Sequence, residues 1–198
     1  GLWFEDWIRR FNEAANETAG DHFTPREVIK LMVDILFSPD DDILTKPVIR
    51  KMLDPACGTG GMLAEAQNYL RGHNAKANLY VFGQDFNPRA YAIAASDLLM
   101  KGNEKSDIRY GDTLINDRFP SDDPLTNGRF DYLIANPPFG VDWKRQNKEV
   151  KLEHKRRGYA GRFGAGIPRV NDGSLLFLQH MISKFEPYAP EEKKNGSR

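Results

Sequence analysis

Apolar residues in this chain recur at the helical period in some segments and at the strand period in others. Residues 3–15 carry aromatic and aliphatic side chains at helical spacing, which predicts an amphipathic helix that packs on a core. A second helix is predicted to begin at Thr24, because threonine can cap, Pro25 suits the first helical position and Glu27 completes a capping box. The Ser-Pro-Asp sequence at 38–40 ends it.

Four short apolar segments predict β-strands, and a polar residue follows each of them. The predicted strands cover 48–53, 78–84, 108–110 and 130–135, and the polar residues are Asp54, Asp85, Asp112 and Asn136. Helices are predicted over 62–70, 87–100 and 172–185, and a polar loop over 113–129. This alternation predicts an α/β domain with a mostly parallel sheet. Since ligands bind beyond the carboxyl ends of such strands, we expect an active site among the four polar residues.

Composition limits the class of protein. A chain of 198 residues, 40% hydrophobic and 28% charged, is typical of one globular domain. It has neither a signal-peptide pattern nor an apolar run approaching the roughly 18 residues of a membrane span, and its single cysteine fits a reducing compartment. We therefore expect no membrane and a cytoplasmic location. The formal net charge is zero, so any DNA contact must come from local patches or partner chains.

The glycine-rich sequence DPACGTGG at 54–61 lies between a predicted strand and a predicted helix. Such a turn lets the backbone approach a ligand closely. A dinucleotide fingerprint would need a third glycine at Leu63, and a P-loop would need Gly-Lys followed by Ser or Thr; neither is present. A nucleoside that carries no phosphates is therefore the natural ligand.

Two strand-end carboxylates complete the outline of a nucleoside pocket. Asp85, at the end of the second strand, can accept hydrogen bonds from both ribose hydroxyls. Asp112, after the third strand, can accept one from an adenine amino group. Each alone is typical of a solvated strand end, but together with the glycine turn they predict an adenosine pocket.

Four motifs resemble those of amino-group DNA methyltransferases: FTP at 23–25, DPACGTGG at 54–61, GDTL at 111–114 and NPPF at 136–139. Their order resembles the gamma arrangement, and the likeness is greatest to the modification (M) subunit of type I restriction-modification systems. It covers roughly residues 10–186. The resemblance implies a Rossmann-like S-adenosylmethionine-dependent methyltransferase fold and N6-adenine methylation of DNA.

The resemblance also implies which residues bind S-adenosylmethionine. The methionine end would lie at the start of the second helix, where free N–H groups and the helix dipole favour a carboxylate. Asp85 would hold the ribose, where the family more often has Glu, and Asp112 would hold the adenine. The implied cofactor-binding residues are Asp21, His22, Phe23, Thr24, Pro25, Arg26, Asp54, Ala56, Gly58, Thr59, Gly60, Gly61, Asp85 and Asp112.

The NPPF motif suits transfer to an exocyclic amine, and the catalytic residues it implies are Asn136, Pro137, Pro138 and Phe139. The amine is a poor nucleophile because its lone pair is delocalised into the ring. The Asn136 side-chain oxygen and the Pro137 carbonyl can each accept a hydrogen bond from one N–H of the amine. These two contacts favour a geometry in which the lone pair is no longer delocalised into the ring. Phe139 would stack on the base flipped out of the duplex, a contact worth about 1–3 kcal/mol.

A basic segment over 144–169 follows this motif, with aromatic residues interleaved and glycines that suggest a flexible loop. A charge run is often only solvated, but this one lies where DNA would arrive, so we expect phosphate contacts. The predicted DNA-binding residues are Lys144, Arg145, Lys155, Arg156 and Arg157.

Other reactions and sites are weighed against this interpretation. Cytosine carbon-5 methyltransferases use a cysteine after a proline, whereas Cys57 follows Ala56, so we interpret it as a small buried residue. His154 and His180 lack companions at metal-ligand spacing, and we predict no metal site. Methylation of protein glutamine, of RNA or of a cytosine amine, and a non-catalytic cofactor-binding module, stay open as alternatives. The first two families usually carry Tyr in place of Phe139.

The resemblance also implies protein segments and partner molecules beyond this chain. The family's complete domain has further strands, so we expect the sheet to be truncated at its C-terminal strands. We divide the chain into 1–20, the tail of an upstream helical domain, 21–186, a partial catalytic domain, and 187–198, a polar tail. The implied partners are double-stranded DNA, a specificity (S) subunit, a restriction (R) subunit and a second M subunit.

Overall fold

The computed structural model describes residues 24–102, 105–192 and 194–198. The helix predicted over 3–15 lies outside the described residues, as do Asp21, His22 and Phe23. The α-helices are α1 (Arg26–Phe37), α2 (Asp41–Thr45), α3 (Gly61–His73), α4 (Pro88–Met100), α5 (Asn147–Arg157) and α6 (Ser174–Ser183). The strands are β1 (Ile49–Asp54), β2 (Asn78–Asp85), β3 (Asp107–Tyr110), β4 (Tyr132–Leu133), β5 (Tyr188–Ala189) and β6 (Lys194–Asn195).

The four strands expected from the apolar pattern form one sheet in the order β3-β2-β1-β4. All three pairings in it are parallel. The predicted α/β class with a mostly parallel sheet is therefore confirmed. The loop predicted over 113–129 also contains no helix or strand.

The strand order places the ligand site. From β1 the chain proceeds outward to β2 and β3, and then returns to add β4 on the other side of β1. Crossover connections therefore leave in opposite directions at the adjacent strands β1 and β4, and a crevice opens at their carboxyl ends. Asp54 is the last residue of β1, and Asn136 follows β4.

Alternation along the strands explains how the sheet is buried on two faces. Met52, Val81 and Tyr132 pack with the apolar sides of α1 to α4 in one cluster. Their neighbours Leu53 and Phe82, with Leu133, point to the opposite face, where Phe119, Phe130 and Met181 cover them. A parallel sheet requires such cover on both faces, and it holds the strand ends in fixed positions.

One segment differs from its prediction. The basic segment contains the helix α5 and is anchored by a third apolar cluster that includes Trp143, Val150, Phe163 and Leu176, so its interpretation as a flexible loop is wrong. The polar tail contains the antiparallel pair β5–β6. Its last residue, Arg198, extends the sheet, because its N–H donates to the Asp131 carbonyl (2.9 Å) and its carbonyl accepts from Leu133 N–H (2.9 Å).

Across the described residues, we find no helix with the length and apolar character needed to cross a membrane.

Candidate active site

A cavity of about 360 Å³ lies at the carboxyl ends of the parallel strands. It joins the glycine turn after β1 to the NPPF motif after β4. Most of the predicted cofactor and catalytic residues that the structure describes line it: Thr24, Asp54, Ala56, Gly58, Thr59, Gly61, Asp85, Asp112, Asn136, Pro137, Pro138 and Phe139. Motifs far apart in sequence thus meet at one site.

Asp54 is buried at the end of β1, with 2% of its surface exposed. Its Oδ1 accepts a hydrogen bond from Ala56 N–H at 3.0 Å, which fixes the first residues of the turn. Burial raises the pKa of this carboxyl to about 7; the Ala56 N–H opposes the shift, and the nearby Asp85 adds to it. The group therefore titrates near neutral pH beside the cavity.

The glycines of the turn have different roles. Gly58 and Gly60 both adopt left-handed backbone conformations (φ 53° and 82°) that favour glycine. A Cβ on Gly58, which lines the cavity, would meet no atom within 4 Å. A Cβ on Gly60 would lie 3.3 Å from Cβ of Ala94 in α4, and Gly60 does not line the cavity. Gly60 therefore permits close packing against a helix, while Gly58 leaves space open for a ligand.

Asp85 lies opposite the turn at the end of β2. Its Oδ2 accepts from Gly58 N–H (2.8 Å) and its Oδ1 from Asn87 N–H (2.8 Å), so the carboxylate is held in one orientation. The adjacent Phe86 lines the cavity with 57% of its surface exposed. Phe86 was not predicted as a site residue, although an aromatic residue directly after a strand-end acid is a usable signal.

Asp112 lies in the loop after β3 and is also held from two sides. Its Oδ1 accepts from Leu114 N–H at 3.0 Å, and its Oδ2 accepts from Gln146 Nε2 at 2.7 Å. Gln146 lines the cavity at the start of α5. No pattern in the sequence distinguishes this residue from its charged neighbours.

Thr24 bonds to the catalytic motif and not to its own helix. Pro25 occupies the N-cap position of α1, which has no side-chain cap hydrogen bond, so the predicted capping box is wrong. Thr24 Oγ1 instead accepts from Asn136 Nδ2 at 2.9 Å. Among the described residues, no group donates to Asn136 Oδ1, and this oxygen is left for a ligand.

The far end of the cavity is aromatic. Phe139 is 65% exposed and offers an open ring face beside Asn136. Trp143, which also lines the cavity, is 2% exposed, and its Nε1 donates to the Arg169 carbonyl at 2.9 Å. An exposed ring and a buried, hydrogen-bonded indole therefore border the place where a planar group could enter.

Three described residues that were predicted to bind the cofactor do not line the cavity: Pro25, Arg26 and Gly60. Arg26 Nη2 lies 3.4 Å from Glu65 Oε2 on the neighbouring helix α3. Since the Arg26 side chain is 59% exposed, this ion pair is a surface contact.

The predicted DNA-binding residues lie outside the cavity and are all exposed: Lys144, Arg145, Lys155, Arg156 and Arg157. Arg162, a basic residue of the same segment, is different. Its guanidinium pairs with Glu153, donates to the Thr113 carbonyl (2.6 Å) and contacts His180 Nδ1 (3.2 Å). Arg162 therefore ties the basic segment to the loop of Asp112 and is not available for phosphate.

Cys57 is buried as predicted, with 6% of its surface exposed. Burial, followed by the charges of Asp54 and Asp85, raises the pKa of its thiol, which disfavours a thiolate nucleophile. Burial also lowers the pKa of His180 to about 3, so it is neutral in the folded protein at ordinary pH. Over the described ranges, no group of three or more His, Cys, Asp or Glu residues could hold a metal ion.

Comparison with known proteins places this geometry in context. The family model described as N-6 DNA Methylase matches residues 1–189. The type I restriction enzyme MjaIX methylase subunit of Methanocaldococcus jannaschii is 30% identical over 188 residues, which cover 94% of this chain and 30% of that protein. The HindI methylase subunit of Haemophilus influenzae is 26% identical and covers 94% of this chain and 38% of that protein.

Solved structures agree with these relatives. A modification subunit of a type I restriction enzyme from Vibrio vulnificus matches with a TM-score of 0.63 and 26% identity, over 98% of this chain and 36% of that one. A type I methyltransferase subunit from Streptococcus thermophilus matches with a TM-score of 0.63 and 25% identity, over 82% of this chain and 31% of that one. The chain thus spans about a third of the length of these relatives.

Proposed function

Because this chain belongs to the N-6 DNA Methylase family, we propose that it moves a methyl group from S-adenosylmethionine to the exocyclic amine of adenine in DNA. We further propose that it does so as part of the modification subunit of a type I restriction-modification system. One observation carries the proposal: a single cavity joins the glycine turn at 54–61 to the NPPF motif, so a cofactor and a target base can meet in it.

The residues present fit S-adenosylmethionine at the glycine-turn end. The cavity of about 360 Å³ is within the range of small-ligand sites. Gly58 leaves open space where a side chain would stand, and the nearby carboxylates of Asp85 and Asp112 are held in place to accept from a ribose and an adenine amine. Phe86 offers an exposed aromatic face at the same place. When bound, this cofactor supplies a methyl group activated by a positively charged sulfur.

The start of α1 fits the methionine end. Thr24 lines the cavity immediately before the helix, and among the described residues no side chain caps the first turn of α1. Its free backbone N–H groups and the positive end of the helix dipole favour a carboxylate. The chain can therefore orient a zwitterionic ligand between this helix and the glycine turn.

The NPPF end fits a flipped adenine. Asn136 Oδ1 can accept one N–H of the amine, and the Pro137 carbonyl, held by the fixed φ of proline, can accept the other. Phe139 presents an exposed ring that can stack on the base. Holding the amine by two acceptors directs its lone pair toward the methyl group, and the effect is one of positioning.

The basic segment supplies a surface for the DNA backbone. Exposed cations from 144–157 follow the catalytic motif, and the last turn of α5 carries Lys155, Arg156 and Arg157. These side chains also complement the negative end of the helix dipole, which is a purely structural role. The helix α5 begins beside the cavity at Gln146, which favours phosphate contacts along it, and such contacts add affinity without reading sequence.

The partners of such an enzyme are proposed by analogy with the relatives, whose names describe methylase subunits of type I restriction enzymes. We propose that a specificity subunit reads the target sequence, a restriction subunit completes the system, and a second modification subunit joins the assembly. The zero net charge of this chain fits such dependence, because global charge would not bring it to DNA.

The alternatives are less well supported. Phe139, where glutamine and RNA methyltransferases usually carry Tyr, favours DNA. A non-catalytic module would keep the glycine turn without needing an aligned target site. The Asn136 oxygen, to which none of the described residues donates, and the exposed ring of Phe139 on the same cavity favour catalysis over such a module.

The proposal is tested by incubating the protein and tritiated S-adenosylmethionine with unmodified DNA, alone and with its partner subunits. Enzymatic digestion of the DNA to nucleosides then identifies the product. Label in N6-methyldeoxyadenosine supports the proposal. Tight cofactor binding with no transfer in any combination would favour the binding module, and label in N4-methyldeoxycytidine would move the target to cytosine.

A further inference from the structure

The side chain of Asn136 is shaped symmetrically but is chemically asymmetric. Its Oδ1 only accepts hydrogen bonds, while its Nδ2 only donates them. A half-turn of the amide exchanges the two atoms with almost no change in shape, so apolar packing cannot choose between them. A target amine also donates, so the site works only when Oδ1 faces the cavity.

Thr24 supplies a hydrogen-bond partner that holds this amide in place, although a hydroxyl can donate as well as accept and so fixes the position of the group more than its orientation. Its Oγ1 lies 2.9 Å from Nδ2 of Asn136, although the two residues are 112 positions apart in the chain. Both line the same cavity. Within residues 24–102, 105–192 and 194–198, Thr24 is the only hydrogen-bond partner of the Asn136 side chain.

The hydroxyl of Thr24 is available for this contact because α1 does not use it. A threonine directly before a Pro-initiated helix usually caps that helix, yet here Pro25 holds the N-cap position and no side chain in the described part of the chain caps it. Thr113, another threonine that lines the cavity, is committed differently: its Oγ1 donates to the Pro55 carbonyl at 2.5 Å. Of these two hydroxyls, that of Thr24 serves the NPPF motif.

We infer that Thr24 is a positioning residue of methyl transfer, whose hydroxyl anchors the Asn136 side chain at the place where it would hold the target amine. The inference rests on the proposed function and changes the role expected for Thr24 in it. Sequence motifs placed this residue with the cofactor, whereas the hydrogen bond connects its hydroxyl to the target-base side. The two roles differ in what they predict, because one affects cofactor affinity and the other affects turnover.

The substitution Thr24→Val removes the hydroxyl and keeps the branched shape. Losing one anchoring hydrogen bond is expected to lower kcat at saturating cofactor by about 3- to 10-fold. The dissociation constant of S-adenosylhomocysteine, measured by calorimetry, should stay within about 2-fold of wild type. Thr24→Ser keeps the hydroxyl and should restore most of the turnover.

Thr45→Val is the matched control. Thr45 Oγ1 donates to the Asp41 carbonyl at the exposed end of α2, and this threonine does not line the cavity. The control makes the same chemical change and should leave both kcat and cofactor affinity unchanged. Unfolding temperatures of all variants separate a lost fold from a lost contact.

Three results would overturn the inference while leaving the proposed function intact, provided that the wild-type protein methylates DNA. The first is an unchanged kcat in Thr24→Val, and the second is a weaker cofactor affinity with normal kcat at saturation. The third is equal loss of turnover in Thr24→Val and Thr24→Ser, which would show that the hydroxyl is not the active group. A wild-type protein that binds cofactor but transfers no methyl group would refute both.

Discussion

Burial of the Asp54 carboxyl predicts a stability cost that depends on pH. The side chain is 2% exposed, and burial raises its pKa from 3.8 to about 7. A carboxyl with a raised pKa resists ionisation in the folded state, whereas the unfolded chain ionises it freely. Perturbed groups of this kind cluster at functional sites, and Asp54 lines the candidate active site.

The sign and size of the effect follow from proton linkage. Below about pH 4 both states hold the proton, and Asp54 adds no pH-dependent cost. Between about pH 4 and pH 7 only the unfolded state releases it, so stability falls as pH rises. Above about pH 7 the cost is complete, and a shift from 3.8 to about 7 corresponds to about 4 kcal/mol.

The substitution Asp54→Asn removes the charge and keeps an oxygen that can accept from Ala56 N–H. We expect the variant to have a higher unfolding free energy than wild type where the cost applies. The difference between variant and wild type should be about 2–3 kcal/mol larger at pH 8 than at pH 5. Urea denaturation at the two pH values measures it, and pH-independent effects of the new amide cancel in the difference. Asp122→Asn, at an exposed carboxylate, is the control and should show no such change. A gain for Asp54→Asn that is equal at both pH values would refute the reasoning.

Two further predictions concern the glycine turn and the basic helix. Gly58→Val should weaken S-adenosylhomocysteine binding at least about 10-fold in calorimetry, because its side chain enters the open space of the cavity. Both substitutions replace a left-handed glycine, but Gly60→Val should lower the unfolding temperature more, since only its Cβ would press on Ala94; strong cofactor loss with an unchanged unfolding temperature would contradict this assignment. Lys155→Glu should weaken DNA binding, measured by fluorescence anisotropy, and should reduce the dependence of that binding on salt. Lys76→Glu, at an exposed position before β2, is the control and should change neither. Equal effects of the two substitutions would show that only the net charge of the protein matters.

The fold was largely predictable because its signals are local. Apolar runs ending in Asp54, Asp85 and Asn136 gave strands that pair in parallel, and the polar strand ends meet at one edge as expected. The basic segment was misread because charge and glycine content favour a loop. The burial of Trp143 and Phe163, which anchors α5, depends on contacts with α6 that no local pattern shows.

The residues that line the site were easier to predict from the sequence than the hydrogen bonds among them. The strand-end polar residues and the glycine turn were found from their chemistry, and the other motif residues from the family resemblance. Thr24 was assigned to a helix cap because the local sequence allows it, yet a residue 112 positions away takes its hydroxyl. Gly60 was assigned to the cofactor by the family resemblance, while its backbone geometry serves a contact with Ala94. Competition between local and distant partners cannot be decided from spacing alone.

The central claim is that one cavity brings a cofactor to the acceptor oxygen of Asn136, and Asn136→Ala tests it most directly. Methyl transfer to DNA and S-adenosylhomocysteine binding would be measured on the same preparation. We expect transfer to fall below detection while the dissociation constant stays within about 2-fold of wild type, because the acceptor contacts the target amine and not the cofactor. Equal loss of transfer and of cofactor binding, or transfer that persists, would contradict the account.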